Sequence, residues 1–510
     1  MIADGQNLTA GRRAMITIAV MLASILTALD TTIANVALPH IRGSLSATLE
    51  QMGWVLTSYI VATAIMTPLA GWLAGRVGRR KVLLISIAGF TLTSALCGIA
   101  TSLSELVLFR ALQGAFGASL VPMSQAVLLD INPPEHHGRA TAIWAMGVTV
   151  GPIIGPALGG WLTDDYSWRW VFYINIPFGI LSLAGIASFV PESQIRRSRF
   201  DMFGFATLSI AIGALQVMLD RGQLLDWFNS TEICAEALIC GLSFYLFLAH
   251  TFTSKSPFVS PVLFADRNFA IGNLFVFIVG VVLFATLALL PPLLQDLMGY
   301  PVITTGLVTA PRGIGTFLTM MIVGRLVGRL DSRLLIAGGF AATAVSLWLM
   351  CGMSLQMDSR LIIWGGYLQG IGTGLVYVPL AAISFATLTP QLRSEGTAIF
   401  SLLRNVGSSI GIAVVQAQLT RSTQVMHARL ADQLQPYGGH LQAKLPFDIT
   451  TVKGLLALNG EVTRQAQMIA YNNDFKMLLL LTIAVAPLLL LLRKPAQKLA
   501  PAEAVAAAAE

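Results

Sequence analysis

Fourteen long apolar segments divide this chain, at about residues 15–38, 51–74, 81–101, 104–129, 138–163, 169–190, 201–220, 233–252, 269–291, 303–327, 334–353, 360–387, 396–419 and 475–493. A helix needs roughly 20 mostly apolar residues to cross the hydrocarbon core of a bilayer, and in lipid its backbone N–H and C=O groups must be satisfied within the segment itself. The pattern confines the chain to an all-α integral membrane protein with 14 transmembrane helices, here called spans 1 to 14. Only 11% of residues are charged and 55% are hydrophobic, against about 25% charged in a soluble domain. The first segment is too long and too polar at its end for a cleaved signal peptide and reads as a retained span.

Basic residues set the orientation. With the N-terminus inside, the inner segments hold Arg12, Arg13, Arg76, Arg79, Arg80, Lys81, Arg139, Arg196, Arg197, Arg199, Lys255, Arg267, Arg325, Arg329, Arg333, Arg393, Arg493, Lys494 and Lys498, while the short outer loops hold only Arg42, Arg169, Arg221 and Arg360. Both termini are therefore expected in the cytoplasm. The same bias accounts for the net charge of +7, so nucleic acid is not an expected partner. Cys97, Cys234, Cys240 and Cys351 match no metal-binding spacing and read as small membrane hydrophobes, and no metal site is expected. No Walker loop or GxGxxG cradle is present, which argues against an ATP-driven pump and for an ion gradient as the energy source, without a cofactor.

One acid stands out. Met15–Leu29 is almost wholly apolar and runs directly into D30-TTIANVALP, which puts Asp30 inside span 1. A carboxylate there costs about 2.5–3.5 kcal/mol on the insertion scale, and the usual reason to keep one is a proton or cation site. The blander reading is a helix-end acid at the interface. Arg110, in L106-VLFRALQGAFGASL, is the matching base, needing a partner or a wet cavity unless it snorkels to the interface. Asn35, five residues beyond Asp30, shares roughly its face. Arg404 lies some way into span 13, and Arg312 follows Pro311 in span 10.

The chain also repeats itself. Leu112, Gln113 and Gly114 match Leu368, Gln369 and Gly370 at a shift of 256 residues, as do Thr141, Ala142 and Ile143 with Thr397, Ala398 and Ile399. G71-WLAGRVGRR pairs with G324-RLVGRLDSR at a shift of 253. Spans 1–6 and 9–14 are thus two parallel copies, with spans 7 and 8 inserted between them. Expected units are an N-terminal six-helix bundle at 1–195, the inserted pair at 196–265, a C-terminal six-helix bundle at 266–494 and a flexible tail at 495–510.

Several motifs now carry a resemblance over nearly the whole chain. L29-DTTIANVALP, G71-WLAGRVGRR, F109-RALQGAFGA, G147-VTVGPIIGPALGG and L219-DRGQLLDWF, in that order, resemble the fourteen-span drug:proton antiporters of the major facilitator superfamily, close to the EmrB-type multidrug exporters. The resemblance implies a major facilitator fold and proton-coupled efflux of lipophilic or cationic small molecules across a bacterial inner membrane, a role in antibiotic resistance, and no enzyme activity. It implies Asp30 and Arg110 as the proton-coupling residues and Asn35, Gln113, Gln369 and Arg404 as candidates for the substrate cavity. Gating and helix packing fall to Gly71, Arg76, Gly78, Arg79 and Arg80 between spans 2 and 3, and to Gly151, Pro152, Gly155, Pro156 and Gly159 in span 5. Gly151, Gly155 and Gly159 line one helix face, where small residues allow close approach, and the prolines remove backbone donors. This span is expected to form a rocking interface between the halves, the blander reading being ordinary small-residue packing. The loop motif commonly has an acid where this chain has Gly75, so another group must hold that gate.

The polar stretch 420–474 falls on the outer side between spans 13 and 14 and contains helical runs such as T423-QVMHARLADQLQ. In EmrB-like exporters the equivalent loop is periplasmic, and its partners would be a membrane-fusion adaptor and an outer-membrane channel of the TolC type. A self-packed loop is the other reading. The fold would equally suit a dedicated exporter of one metabolite, siderophore or fatty acid, and a non-transporting receptor or scaffold is the remaining alternative.

Overall fold

The computed structural model describes residues 8–133, 136–193, 195, 199–389, 391–434 and 451–493. Arg196, Arg197, Lys494, Lys498, the centre of the 420–474 stretch and the tail lie outside the described residues, as does the side chain of Pro156. Among the described residues, 14 helices are long and apolar enough to cross a membrane: Ala10–Leu45, Gln51–Val77, Arg79–Ile99, Leu103–Ile131, His137–Asp165, Trp170–Phe189, Met202–Arg221, Thr231–Thr253, Arg267–Leu297, Thr304–Leu326, Ser332–Met350, Ser359–Ala386, Arg393–Gln433 and Val452–Leu491. Local chemistry starts and stops them. Thr48 with Gln51 and Ser102 with Glu105 form capping boxes at spans 2 and 4. Gly78 makes the tight turn between spans 2 and 3 at φ +95°, a conformation glycine adopts without strain.

Spans 13 and 14 are far longer than a bilayer needs. Span 13 has 41 residues and span 14 has 40, about 60 Å each at 1.5 Å per residue against a core of about 30 Å. The expected outer loop is therefore largely two helical extensions. Arg421 to Gln433 contains no glycine or proline, so nothing in it breaks the helix as it leaves the apolar run. Asn473 donates to Ser422 Oγ at 3.2 Å, and His427 pairs with Asn459 at 3.0 Å farther out.

Buried apolar side chains gather in separate cores. Leu83, Phe90, Met123 and Trp144 lie in one N-terminal cluster, and Ile33, Val55 and Phe172 in another. Phe275, Phe385, Phe400 and Phe475 belong to a larger C-terminal one. The inserted pair straddles the seam. On span 7, Asp220 accepts from Thr57 of span 2, and Gln216 donates to Ser409 of span 13 at 2.9 Å. Span 8 leaves Leu238, Tyr245 and Phe252 exposed, as a lipid-facing helix would.

Span 5 lies between the halves, but its glycine face packs within its own half. A Cβ on Gly151 would lie 2.9 Å from Ala28 Cβ, one on Gly155 would strike Thr32, and one on Gly159 would lie 3.2 Å from Ile33 Cγ2, so all three glycines meet span 1. The seam between halves uses other faces of the same helix. Ile153 fills the space beside Gly313 of span 10, and Ala142 that beside Gly324. Pro152 is exposed.

At the ends of spans 3, 4 and 13 a charge cluster closes the seam. Asp130, at the end of span 4, pairs with Arg79 of its own half and with Arg393 of the other at 3.3 Å. Arg79 Nε also donates to Ser394 Oγ at 2.6 Å, and Gly71 lets the backbone of Glu395 approach to 2.9 Å of where its Cβ would stand. Glu395 in turn accepts from the Ser260 backbone N–H at 2.5 Å, docking the chain that follows span 8. Asp130 thus bridges the two halves where Gly75 offers no carboxylate. Arg80 stays within its half, on Ala187 O and near Glu192, and Arg76 is exposed, stacked on Trp72.

Two outcomes follow. Gly155→Leu forces a side chain into span 1, and overpacking of this kind costs about 1–3 kcal/mol; the detergent-solubilised variant should melt several degrees below the parent and transport less per molecule. Gly160→Leu, whose Cβ would meet nothing within 4 Å, is the control, and equal melting of the two removes the packing account. Asp130→Asn should loosen the seam there. Spin labels at exposed Arg76 and Leu330 in a cysteine-free background should then report a longer mean separation, and an unchanged distribution means that Asp130 does not close the seam.

Candidate functional site

Asp30 lies well within the 36-residue first helix and is 1% exposed. It is not an interfacial acid. Two helices supply its partners. From span 4, one turn of helix brings Arg110 and Gln113 to the same face. Arg110 Nη1 donates to Asp30 Oδ2 at 2.6 Å and to Gln113 Oε1 at 2.8 Å, and Gln113 Nε2 donates to Asp30 Oδ1 at 2.8 Å. From span 6, Asn175 Nδ2 donates to the same Oδ1 at 3.0 Å and to Ser94 Oγ of span 3 at 3.0 Å. Arg110 is completely buried, with its Nε on Val55 O at 3.3 Å and its guanidinium 4.2 Å from the Tyr59 ring centre.

Every carboxylate oxygen is therefore occupied, which is the condition under which a buried charge is tolerated. The base is less complete, since Arg110 Nη2 is buried with no hydrogen-bond partner.

The other expected cavity residues are placed differently. Asn35 is exposed and outside the cluster; five residues along an α-helix turn the side chain by about 140°, away from the Asp30 face. Gln113 belongs to the Asp30 cluster. Gln369 is 1% exposed inside the C-terminal half and donates to Thr286 Oγ1 at 3.0 Å. Arg404 is half-buried, with Nη1 3.3 Å from the Tyr377 hydroxyl. Sequence reasoning missed Asn175, Tyr59 and Asp130. Asn175 was detectable as a lone amide in the apolar run of span 6, and Asp130 as an acid closing the run L128-LD; Tyr59 carries no such signal.

Comparison with known proteins agrees with this architecture. Residues 20–412 match the Major Facilitator Superfamily. The multidrug export protein EmrB of Escherichia coli K12 is 36% identical over 91% of this chain and 92% of its own length. The fatty acid resistance protein FarB of Neisseria gonorrhoeae is 36% identical over 94% of this chain and 96% of its own. Among solved structures, the human organic anion transporter MFSD10 (TETRAN) superposes with a TM-score of 0.59 at 14% identity, covering 92% of this chain and 99% of its own, a likeness of fold. This chain belongs to the major facilitator superfamily and, within it, to the EmrB-type exporters.

Proposed function

We propose that the protein exports amphipathic or cationic drugs by exchange with protons, with Asp30 as the proton carrier and Arg110 as its gate. The observation that carries this reading is the buried Asp30–Arg110 pair, held at 2.6 Å with neither side chain exposed to solvent. The names of EmrB and its relatives support the drug-export part. The fold is that of a multi-pass membrane protein, and the positive-inside bias supports both termini in the cytoplasm of a bacterial inner membrane.

Energetics supports the coupling. Removing one partner of a buried ion pair costs about 3–5 kcal/mol. One proton moving through 100 mV yields about 2.3 kcal/mol, and each unit of pH difference adds about 1.4 kcal/mol. The cost of opening the pair is thus of the size that one proton supplies. In the cycle, ionised Asp30 keeps the pair closed and favours drug binding from the cytoplasm. A proton from outside neutralises Asp30, frees Arg110 and shifts the halves toward release. Only a difference in affinity between the two states lets the proton drive export. Arg110 already covers the carboxylate, so a drug influences Asp30 through the pair rather than by replacing it.

The helical extensions of spans 13 and 14 support a second element of the reading, docking of a periplasmic adaptor that leads to a TolC-type outer-membrane channel. They project well beyond the bilayer and leave Val425, Leu455 and Leu456 exposed. A dedicated exporter of one metabolite, siderophore or fatty acid is the second functional reading; the name of the FarB relative favours a fatty acid.

Asp30→Asn should lower proton-driven dye efflux from proteoliposomes at least tenfold and abolish drug-induced proton release. Because this variant leaves Arg110 unpaired, the double variant Asp30→Asn with Arg110→Gln is made beside it. It should recover thermal stability and still fail to couple; coupled efflux by either variant at normal abundance removes Asp30 as the carrier. Replacing residues 430–456 by a short Gly/Ser linker should spare transport in vesicles and reduce whole-cell resistance. Unchanged resistance would rule out docking at the tip.

A further inference from the structure

The C-terminal half contains a counterpart of the Asp30 site in which the base is present and the acid is missing. The shift of 256 residues carries Asp30 to Thr286, Gln113 to Gln369 and Arg110 to Gly366. The geometry agrees with this register: Gln113 Nε2 donates to Asp30 at 2.8 Å, and Gln369 Nε2 donates to Thr286 at 3.0 Å. The shift of 253 carries Tyr59 to Arg312 and Thr63 to Thr316. A Cβ on Gly114 would meet the Tyr59 carbonyl and Thr63, and one on Gly370 would meet the Arg312 carbonyl and Thr316. Arg312 therefore takes the place of the ring that lies against Arg110, and it approaches the position that Gly366 leaves empty, with its Cβ 3.6 Å from where a Gly366 Cβ would stand.

The guanidinium arrives without a counter-charge. Arg312 is 7% exposed. Its Nη2 donates to Leu283 O at 3.0 Å, one turn before Thr286 on span 9, while its Nη1 is buried with no partner. Gln369 Oε1 is likewise buried and unpartnered. Among the described residues no carboxylate lies within 4.0 Å of Arg312, whereas Arg110 has Asp30 at 2.6 Å. A buried cation without an anion is costly, and a guanidinium fork matches a carboxylate better than any other group. Gly313, the next residue, packs against Ile153 of the other half, so span 10 reaches the seam one residue from Arg312. With a single carbonyl to release, Arg312 is free to turn toward the cleft.

We infer that Arg312 is the receptor for the anionic headgroup of a transported amphiphile, a carboxylate first of all, with Gln369 as a second polar contact. The inference rests on the exporter reading and narrows its substrate class to include acids. The test uses the full chain in lipid nanodiscs and a radiolabelled water-soluble aromatic carboxylate beside its carboxamide. Wild type should bind the carboxylate at least tenfold more tightly than the amide. Arg312→Gln should bring the ratio close to one while still exporting an uncharged dye from proteoliposomes. Arg312→Lys should retain part of the preference. Thr286→Asp is the independent variant: it installs the missing resident acid, and should abolish carboxylate binding without loss of fold. Equal binding of acid and amide by wild type, or a ratio that Arg312→Gln and Thr286→Asp leave unchanged, overturns the inference. If raising chloride competes away the carboxylate completely at physiological concentration, Arg312 is an inorganic anion site and the headgroup assignment fails. A wild type that binds the acid selectively but moves no dye would instead count against the exporter reading alone.

Discussion

The Asp30–Arg110 pair is the interaction on which the N-terminal half is organised. It ties span 1 to span 4, and its two satellites tie in the rest: Gln113 closes the triangle from span 4, and Asn175 with Ser94 brings in spans 6 and 3. Span 2 contributes the Val55 carbonyl and the Tyr59 ring. Five of the six helices of the half therefore meet around one charge. The sixth, span 5, lies against span 1 through glycines at the level of Ala28 to Ile33. A lost partner at Asp30 would bear on every helix of the bundle, because in lipid no water waits to replace it.

The charge cluster of Asp130 extends that dependence across the seam. Asp130 lies on the same span as Arg110, beyond the turn at Ala118–Ser119 that divides the span into two helical segments, and it is the residue that touches both Arg79 and Arg393. Span 4 thus carries the base of the buried pair near one end and the acid of the seam at the other. Under the proposed proton coupling, a shift of span 4 on opening the Asp30 pair would reach the seam through these two segments.

Much of this was legible in the residues. Asp30 was identifiable because an acid inside an apolar run has few explanations, and Arg110 because a base in span 4 needs an acid. The fourteen helices and the two-fold repeat were legible because lipid allows few alternatives to a helix and because the LQG and GRVGRR words recur. What failed did so for geometric reasons. Asn35 was assigned to the Asp30 face by proximity in sequence, although five residues turn a helix away from it. The glycine stripe of span 5 marked a close contact correctly, but spacing says only that some helix approaches, not which one. Asp130 and Arg393, 263 residues apart, meet through tertiary packing that no local pattern encodes. The extensions of spans 13 and 14 were hidden because hydropathy marks where lipid ends, whereas helix propensity decides where a helix ends.

Comparing the two halves exposes how a duplicated fold divides labour. Both retain the glutamine on the fourth helix of the repeat and the close approach of the second helix to the glycine beside it. Only one retains an acid beneath it. In the N-terminal half the resident carboxylate makes the arginine's charge internal, as the proposed proton site requires. In the C-terminal half threonine offers a hydroxyl without charge, so the arginine's charge remains available to a visitor. A transporter with two complete ion pairs would be two locked bundles, and one with two bare arginines would carry an uncompensated charge in each. One closed pair and one open base divide the charge unequally, and this asymmetry is what the proposed proton and headgroup roles rest on.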